Sequence, residues 1–225
     1  MNVSYLLLII IAIVGMIVQA RLNSVFNKYS RVMFSGGLTG RDVAEKMLRD
    51  HGIMDVKVVS TRGHLTDHYN PATRTVNLSE GVYSSCSIAA AAVAAHECGH
   101  AVQHSYGYAP LRLRSALVPI IQFSSSISTW VIIIGILLIE SLPAIFWVGI
   151  ATIAASALFA IVTLPVEYNA SQRALAWLEG SRTLDPQQMQ GARTSLRWAA
   201  RTYLVAALSA IATLLYYLGF ARDND

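Results

Sequence analysis

The sequence predicts a mainly α-helical, multi-pass membrane protein with about four transmembrane helices and a small α+β cytoplasmic portion. Three observations predict this fold class. The mean hydropathy is +0.47. Hydrophobic residues make up 54% of the 225 positions and charged residues only 13%, whereas about a quarter of the residues in soluble domains are charged. The apolar residues are gathered into a few long segments, and most of the charges lie between those segments.

Four apolar segments are long enough, or nearly so, to cross a bilayer, which takes about 20 helical residues. They are Val3–Gln19, Leu117–Ile139, Ala144–Leu164 and Thr202–Phe220. None of them contains Asp, Glu, Lys, Arg or His. Transporters and proton pumps usually keep ionisable groups inside the membrane. The pattern therefore disfavours both classes and indicates helices that anchor and frame the protein.

Most Lys and Arg residues flank these segments on one side, with Arg222 after the fourth segment as the exception, and this distribution predicts the orientation of the chain. The positive-inside rule places residues 21–116 and 165–201 in the cytoplasm, between transmembrane segments at 1–20, 117–164 and 202–220, in the inner (plasma) membrane. Both termini then lie outside. The net charge of +4 also fits a nucleic-acid partner, but the sequence contains no dense basic run, so we expect a lipid bilayer and no nucleic acid.

The first segment has an alternative interpretation as a signal peptide, because Val18-Gln19-Ala20 resembles a cleavage site. Its leader, Met1–Tyr5, carries no Lys or Arg, which signal peptides normally have. The sequence therefore favours an uncleaved helix.

The first cytoplasmic portion shows helix and strand signals. Thr39 can cap a helix over Gly40–Asp50, Met54–Ser60 and Thr75–Leu78 have the pattern of strands, and Tyr69–Thr73 has turn chemistry. An edge strand of such a sheet either receives a substrate backbone by β-addition or is part of a plain structural hairpin, and the sequence does not decide between the two.

The most informative motif is His96-Glu97-Cys98-Gly99-His100, which follows an alanine-rich helical stretch. Positions i and i+4 share a helix face, so both imidazoles can bind one Zn²⁺. Glu97 lies one step round, where its carboxylate can act on metal-bound water as a general base. Gly99 indicates close approach of a neighbouring segment.

The ends of the motif helix and its cysteine are also interpretable from the sequence. We expect the helix to run to about Ser105, with Ser84 or Ser85 as its N-cap. Cys98 points away from the face that the two histidines share, so we interpret it as a small core residue and not as a ligand.

A catalytic zinc usually has three protein ligands, so a third is needed. The candidates are His51, His64, His68, His104, Asp67, Glu80, Glu140, Glu167 and Glu179. Glu167 is favoured because a carboxylate so close to an apolar segment is costly unless it is paired or bound to a cation. The alternatives are that Glu167 pairs with Arg173 and that His64 or His68 is the ligand. His104 is a candidate to orient a ligand.

Two sequence blocks, Ala95–His104 and Leu164–Ala174, together with Leu65–Ser79, resemble the bacterial membrane proteins called YugP-like neutral zinc metallopeptidases. The resemblance covers nearly the whole chain. It implies a zincin-like site of the Glu-zincin kind with one zinc ion per chain, in which His96, His100 and Glu167 bind the metal and Glu97 is the base.

The chain is more distantly similar to HtpX-type and CAAX prenyl proteases, which place such a site at the cytoplasmic face of a helical membrane frame. Those proteins usually carry an acidic residue shortly after the third ligand. Here Asn169 and Ser171 stand in that region, and together with Arg173 they are candidates to orient the site.

The resulting functional hypothesis is a membrane-embedded zinc metalloprotease that hydrolyses peptide bonds in a peptide or membrane-protein substrate. The candidate oxyanion donors are His68, Tyr69 and Arg173. The alternative is a non-catalytic membrane scaffold or sensor with a structural metal site. Glu97 argues against this alternative, because a structural site has no use for that carboxylate. The sequence does not indicate an oligomeric state.

Overall fold

The computed structural model describes residues 3–34 and 36–222, and it confirms a mainly helical chain with four apolar helices and a small sheet. Met1 and Asn2, which open the leader of the first predicted segment, lie outside the described residues. In chain order the elements are α1 (Val3–Tyr29), α2 (Gly40–Asp50), β1 (Lys57–Thr61), β2 (His68–Asn70), β3 (Thr75–Ser79), α3 (Glu80–Tyr83), α4 (Ile88–Ser105), α5 (Ala109–Leu137), α6 (Pro143–Gly180) and α7 (Pro186–Arg222).

Helices α1, α5, α6 and α7 are each long and apolar enough to cross a membrane. They match the four segments that the hydropathy pattern predicts, and each helix extends beyond its segment at one end or both, but α5 ends at Leu137, two residues before the predicted end at Ile139. Helix α6 continues through Pro165, although we divided the chain at that residue. Proline removes only one helical hydrogen bond, which a long helix can lose and still continue. Glu167 therefore lies within the same helix as the third apolar segment.

The described residues form two compact units, and the first is made of apolar helix segments. It comprises the described residues up to Ile17, Arg112–Pro165, and the described residues from Thr202 onward. Within it α5 and α6 approach closely, because a Cβ atom added to Gly135 would lie 2.6 Å from the Cα of Phe146. A 2.7 Å hydrogen bond between the hydroxyls of Ser128 and Thr152 joins the same two helices. Small residues and hydroxyl pairs of this kind are typical contacts between membrane helices.

The second unit, Val18–Leu111 with Val166–Arg201, contains the small sheet and the motif helix. Helix α2 begins as predicted. Thr39 and Asp42 form a capping box in which the Thr39 hydroxyl accepts a bond from the Asp42 amide, and the Asp42 carboxylate accepts one from the Thr39 amide. The hydrogen bonds from Thr39 lower the pKa of the Asp42 carboxyl. The apolar face of α2 is buried in the core of this unit through Val43, Ala44, Met47 and Leu48.

The sheet differs from the predicted one in its strand count and pairing. Its order is β1-β3-β2, with β1 parallel and β2 antiparallel to β3. The predicted strands therefore lie side by side in parallel, and the hairpin is formed by β2, which we had interpreted as part of a turn. The turn begins at Pro71, two residues later than expected, and the Asn70 side chain stabilises it by accepting bonds from the amides of Ala72 and Thr73.

Helix α4 covers the predicted range, but its N-cap is Ser87 and not Ser84 or Ser85. The Ser87 hydroxyl accepts a bond from the Ala90 amide. Ser84 instead ends the short helix α3, and the Ser85 hydroxyl accepts a bond from the Ser87 amide. At the start of α7, Asp185 accepts a bond from the Gln188 amide just before Pro186 and the first helical turn.

Candidate metal centre

The backbones of α4 and α6 approach each other closely at the centre of the motif. A Cβ atom added to Gly99 would lie 2.6 Å from the carbonyl oxygen of Ala170 and 3.1 Å from its Cα. Real Cβ atoms essentially never come within 3.0 Å of a backbone atom in this way, so the 2.6 Å contact requires glycine at this position. Ala170 and Ala174 on the facing side of α6 are fully buried, which keeps that face narrow. The predicted close approach at Gly99 is confirmed, and α6 is the neighbour.

This contact brings together the two motif histidines and Glu167. The ligand atoms of His96, His100 and Glu167 all lie within 4.8 Å of one another. The Glu167 Oε2 atom is 3.2 Å from the Nε2 of His96 and 3.6 Å from the Nε2 of His100. Glu167 is only 1% exposed, so its carboxylate needs a cationic or hydrogen-bonding partner at this point.

The donor set and its spacing fit a zinc ion. Two imidazole nitrogens and one carboxylate oxygen are ligands that zinc accepts, and three protein ligands are typical of catalytic sites. Bonds of about 2.0–2.2 Å in a tetrahedral site separate neighbouring ligand atoms by about 3.3–3.6 Å. The 3.6 Å separation from Glu167 to His100 lies within that range, and the 3.2 Å separation to His96 lies just below it.

Each histidine directs Nε2 towards Glu167 and uses Nδ1 for a second contact. The Nδ1 of His100 is 3.0 Å from the Oε1 of Gln103. The Nδ1 of His96 is 3.1 Å from the hydroxyl of Ser171. A hydrogen bond to the second ring nitrogen fixes the orientation of a metal-binding imidazole. Ser171, a sequence candidate for orienting the site, thus contacts His96, while Gln103 was not among those candidates.

Glu97 lies beside the cluster in a buried position. Burial raises the pKa of its carboxyl group to about 7, and the nearby carboxylates of Glu167 and Asp67 add to the rise. The His96 side chain and the backbone of Tyr69 act in the opposite direction. A carboxyl group with a pKa near neutrality is suited to take up and release a proton.

The other candidate ligands have different partners or different surroundings. The His104 Nδ1 atom lies 2.7 Å from the Tyr69 hydroxyl, so His104 contacts the strand β2. His51 contacts the carbonyl of Met47, and His64 packs edge-on against Phe26. His68 contacts the Thr66 carbonyl, and Asp67 accepts bonds from the amide and hydroxyl of Ser79. Glu179 forms an ion pair with Arg193. Glu80 and Glu140 are exposed.

Arg173, the alternative partner that the sequence offered for Glu167, contacts other residues. The Arg173 Nε atom donates to Asn169 at 2.8 Å, and its guanidinium lies over the ring of Tyr106. Each of the three oxyanion candidates therefore has a protein partner, because His68 and Tyr69 form contacts as well.

Cys98 is buried in the core as predicted, and burial raises the pKa of its thiol.

Sequence reasoning missed Gln103, although one signal was available. It lies three residues after His100, on the same face of α4. Its amide nitrogen bonds to the Val166 carbonyl and to Asn169, which are 63 and 66 residues away in sequence. Those partners become apparent only in the folded chain.

The fold and this cluster define a membrane protein with a candidate zinc centre, and comparison with known proteins agrees. A family model described as "Putative neutral zinc metallopeptidase" matches residues 4–222, and the chain belongs to this family. The resemblance noted from the motif blocks is thereby confirmed. Family membership implies zinc, and the four apolar helices indicate an integral membrane protein.

A similar relative is the protein named "Putative membrane protease YugP" from Bacillus subtilis (strain 168). The two are 40% identical over 200 residues, which cover 89% of this chain and 88% of the relative. No solved structure matches the chain.

The close contact at Gly99 generates a prediction. In the Gly99→Ala variant the added methyl group cannot fit against Ala170, so α4 and α6 must separate or distort. We expect a loss of about 1–3 kcal/mol in the free energy of unfolding and a clear loss of bound zinc. Both are measured on the detergent-solubilised protein, by denaturant unfolding and by elemental analysis.

Gly81→Ala is the matched control, because nothing lies within 4 Å of a Cβ atom added there. It should keep the zinc content and stability of the wild type. Equal zinc content in Gly99→Ala and wild type would contradict the role given to this contact.

Proposed function

We propose that this chain is a membrane-embedded zinc endopeptidase in which His96, His100 and Glu167 bind one zinc ion and Glu97 is the general base. The observation that carries the proposal is the buried Glu167 carboxylate, which lies 3.2 Å and 3.6 Å from the two motif imidazoles. A carboxylate buried to this degree is costly unless a cation compensates it. Family membership supports zinc as that cation.

The reaction is hydrolysis of a peptide bond by water. Zinc, when bound, supplies a Lewis acid that makes water a better nucleophile and polarises the scissile carbonyl. The Glu97 carboxylate takes one proton from the attacking water as the new C–O bond forms. Glu97 then gives that proton to the leaving nitrogen as the C–N bond breaks, so it ends the cycle as a carboxylate.

The surroundings of Glu97 suit both halves of this proton transfer. Burial holds the pKa of its carboxyl group at about 7 in the metal-free protein, and a cation on the neighbouring histidines favours its ionised form. The carboxylate is therefore available as a base at neutral pH. The same burial makes the protonated form accessible, so that Glu97 can act as an acid in the second half of the reaction.

Strand β2 is a candidate to hold the substrate backbone. One side of β2 pairs with β3, and within the described residues no strand pairs with its other side. Because the backbone of Tyr69 in β2 interacts with Glu97, a peptide added along this edge would pass close to the base. Backbone pairing of this kind gives affinity without demanding a particular sequence.

We further propose that the site faces the cytoplasm from the inner (plasma) membrane and acts on peptides or membrane proteins. The distribution of Lys and Arg around the apolar helices supports this orientation. A scaffold with a purely structural metal site is the competing function. Activity that a chelator abolishes and added zinc restores, on casein or a membrane-protein substrate, would separate the two.

Glu97→Gln tests the assignment of the base. The amide keeps the size of the side chain but cannot take up a proton, so cleavage should fall by at least about 100-fold. Zinc content, measured by elemental analysis, should match the wild type, because Glu97 is not a proposed ligand. Full activity in this variant would show that another group removes the proton.

Glu167→Ala tests the third ligand. With only two imidazoles left, zinc content should fall from about one ion per chain to well below half. Glu179→Ala is the matched control, since Glu179 lies on the same helix in an exposed pair with Arg193, and it should retain the metal. An unchanged zinc stoichiometry in Glu167→Ala would remove Glu167 from the ligand set.

Cysteine labelling tests the orientation, in a background with Cys86 and Cys98 replaced by alanine. Arg62 and Ser141 are exposed. A cysteine at position 62 should react with a membrane-impermeant maleimide only after permeabilisation, whereas one at position 141 should react in intact cells. The reverse pattern would contradict the cytoplasmic placement and leave the proposed chemistry standing.

A further inference from the structure

The Gln103 side chain is fully buried at 0% exposure, and both N–H groups of its amide donate hydrogen bonds. The Nε2 group donates to the Val166 carbonyl at 2.8 Å and to the Oδ1 of Asn169 at 3.0 Å. The Oε1 atom lies 3.0 Å from the Nδ1 of His100. Gln103 therefore connects one of the proposed ligands to α6.

The chemistry of the partners determines which way the Gln103 amide faces. A backbone carbonyl can only accept a hydrogen bond, so the NH₂ group of Gln103 must point towards Val166. The carbonyl oxygen of Gln103 is then left for His100. Because that oxygen only accepts, the Nδ1 atom of His100 must carry the proton.

Asn169 is oriented in the same manner. The Arg173 Nε group can only donate, and it lies 2.8 Å from the Oδ1 of Asn169. Asn169 therefore presents its oxygen to both Arg173 and Gln103. The guanidinium of Arg173 lies over the ring of Tyr106, with 5.7 Å to the ring centroid. This cation–π contact stabilises the position of Arg173, the residue farthest from His100 among the three.

We infer that Gln103, oriented by Asn169 and Arg173, is a positioning residue that holds His100 in the Nδ1–H tautomer, with the Nε2 lone pair directed at the metal. This inference rests on the proposed function, since it assigns His100 as a ligand. We call Gln103, Asn169 and Arg173 the amide relay. None of the three contacts the reacting atoms, so the relay acts only through His100.

The second histidine is held differently. The partner of His96 is the hydroxyl of Ser171, which can either donate or accept. A hydroxyl orients the ring but does not select a tautomer. The relay therefore makes the two ligands unequal, and loss of Gln103 should affect metal binding more than loss of Ser171.

The main test compares Gln103→Leu with Ser171→Ala and with the control Gln187→Leu, an exposed glutamine outside the relay. Zinc affinity is measured by competition with a chromogenic chelator, and the coordination geometry by the absorption spectrum of the cobalt-substituted protein. Gln103→Leu should weaken zinc binding by about 10–100-fold and change the cobalt spectrum. Ser171→Ala should show a smaller loss, and Gln187→Leu should show none.

A second pair of variants tests the relay beyond Gln103. Asn169→Leu removes the acceptor that Gln103 and Arg173 share, while Asn169→Asp retains an acceptor oxygen for both. The first should weaken zinc binding several-fold, and the second should stay close to the wild type. This pair decides the question alone if Gln103→Leu does not fold. The unfolding midpoint of each metal-free variant reports any purely structural effect, which would leave the cobalt spectrum unchanged.

Zinc affinity in Gln103→Leu within about twofold of the wild type, together with an unchanged cobalt spectrum, would overturn the relay and leave the proposed function intact. Equal losses in Asn169→Leu and Asn169→Asp would also overturn it. A wild-type protein that binds no zinc would overturn the relay and the proposed function together.

Discussion

The candidate site depends on one steric constraint, the contact between the backbone of α4 at Gly99 and that of α6 at Ala170. The proposed ligands come from segments 71 residues apart in sequence, and neither segment can form the cluster alone. The size of the side chains at positions 99 and 170 determines how closely the two helices pack, and so how far Glu167 lies from the histidines. Glycine on one helix and alanine on the other make the separation small enough for one ion to bridge.

The second constraint is the need to satisfy polar groups in a buried place. Glu97, His100, Gln103, Glu167 and Ser171 are all buried. Among the described residues, no fully buried side-chain nitrogen or oxygen lacks a hydrogen-bond partner. Such networks are rigid when every member is paired and costly when one is not. On α6 the side chains of Glu167, Asn169, Ser171 and Arg173 each have a polar partner in this network.

The sequence predicted the features that depend on local chemistry. Hydropathy alone located the four apolar helices, Thr39 indicated the start of α2, and the histidine spacing predicted a shared helix face. Glu167 was found by a cost argument, because an ionised group beside an apolar segment requires compensation. Each of these inferences needed only a short window of sequence.

The features that sequence reasoning missed depend on distant contacts or on very short signals. Strand β2 has three residues and no alternating pattern, so only its pairing with β3 identifies it. The N-cap of α4 was misassigned because several serines precede the helix, and only Ser87 has the required geometry. The role of Gln103 depends on Val166 and Asn169, and nothing in the local sequence around His100 indicates them.

Helix α4 carries its two histidines on a stem of unusually small side chains, since Ala89–Ala92 and the pair Ala94 and Ala95 are all buried. Alanine has no side-chain rotamers, so packing this part of α4 into the core costs little side-chain entropy. Neighbouring residues can therefore pack close to the main chain of the helix. These alanine positions have no flexible side chains that could adjust to a larger residue. Volume, more than polarity, should therefore limit which residues evolution or a protein engineer can place along this stem.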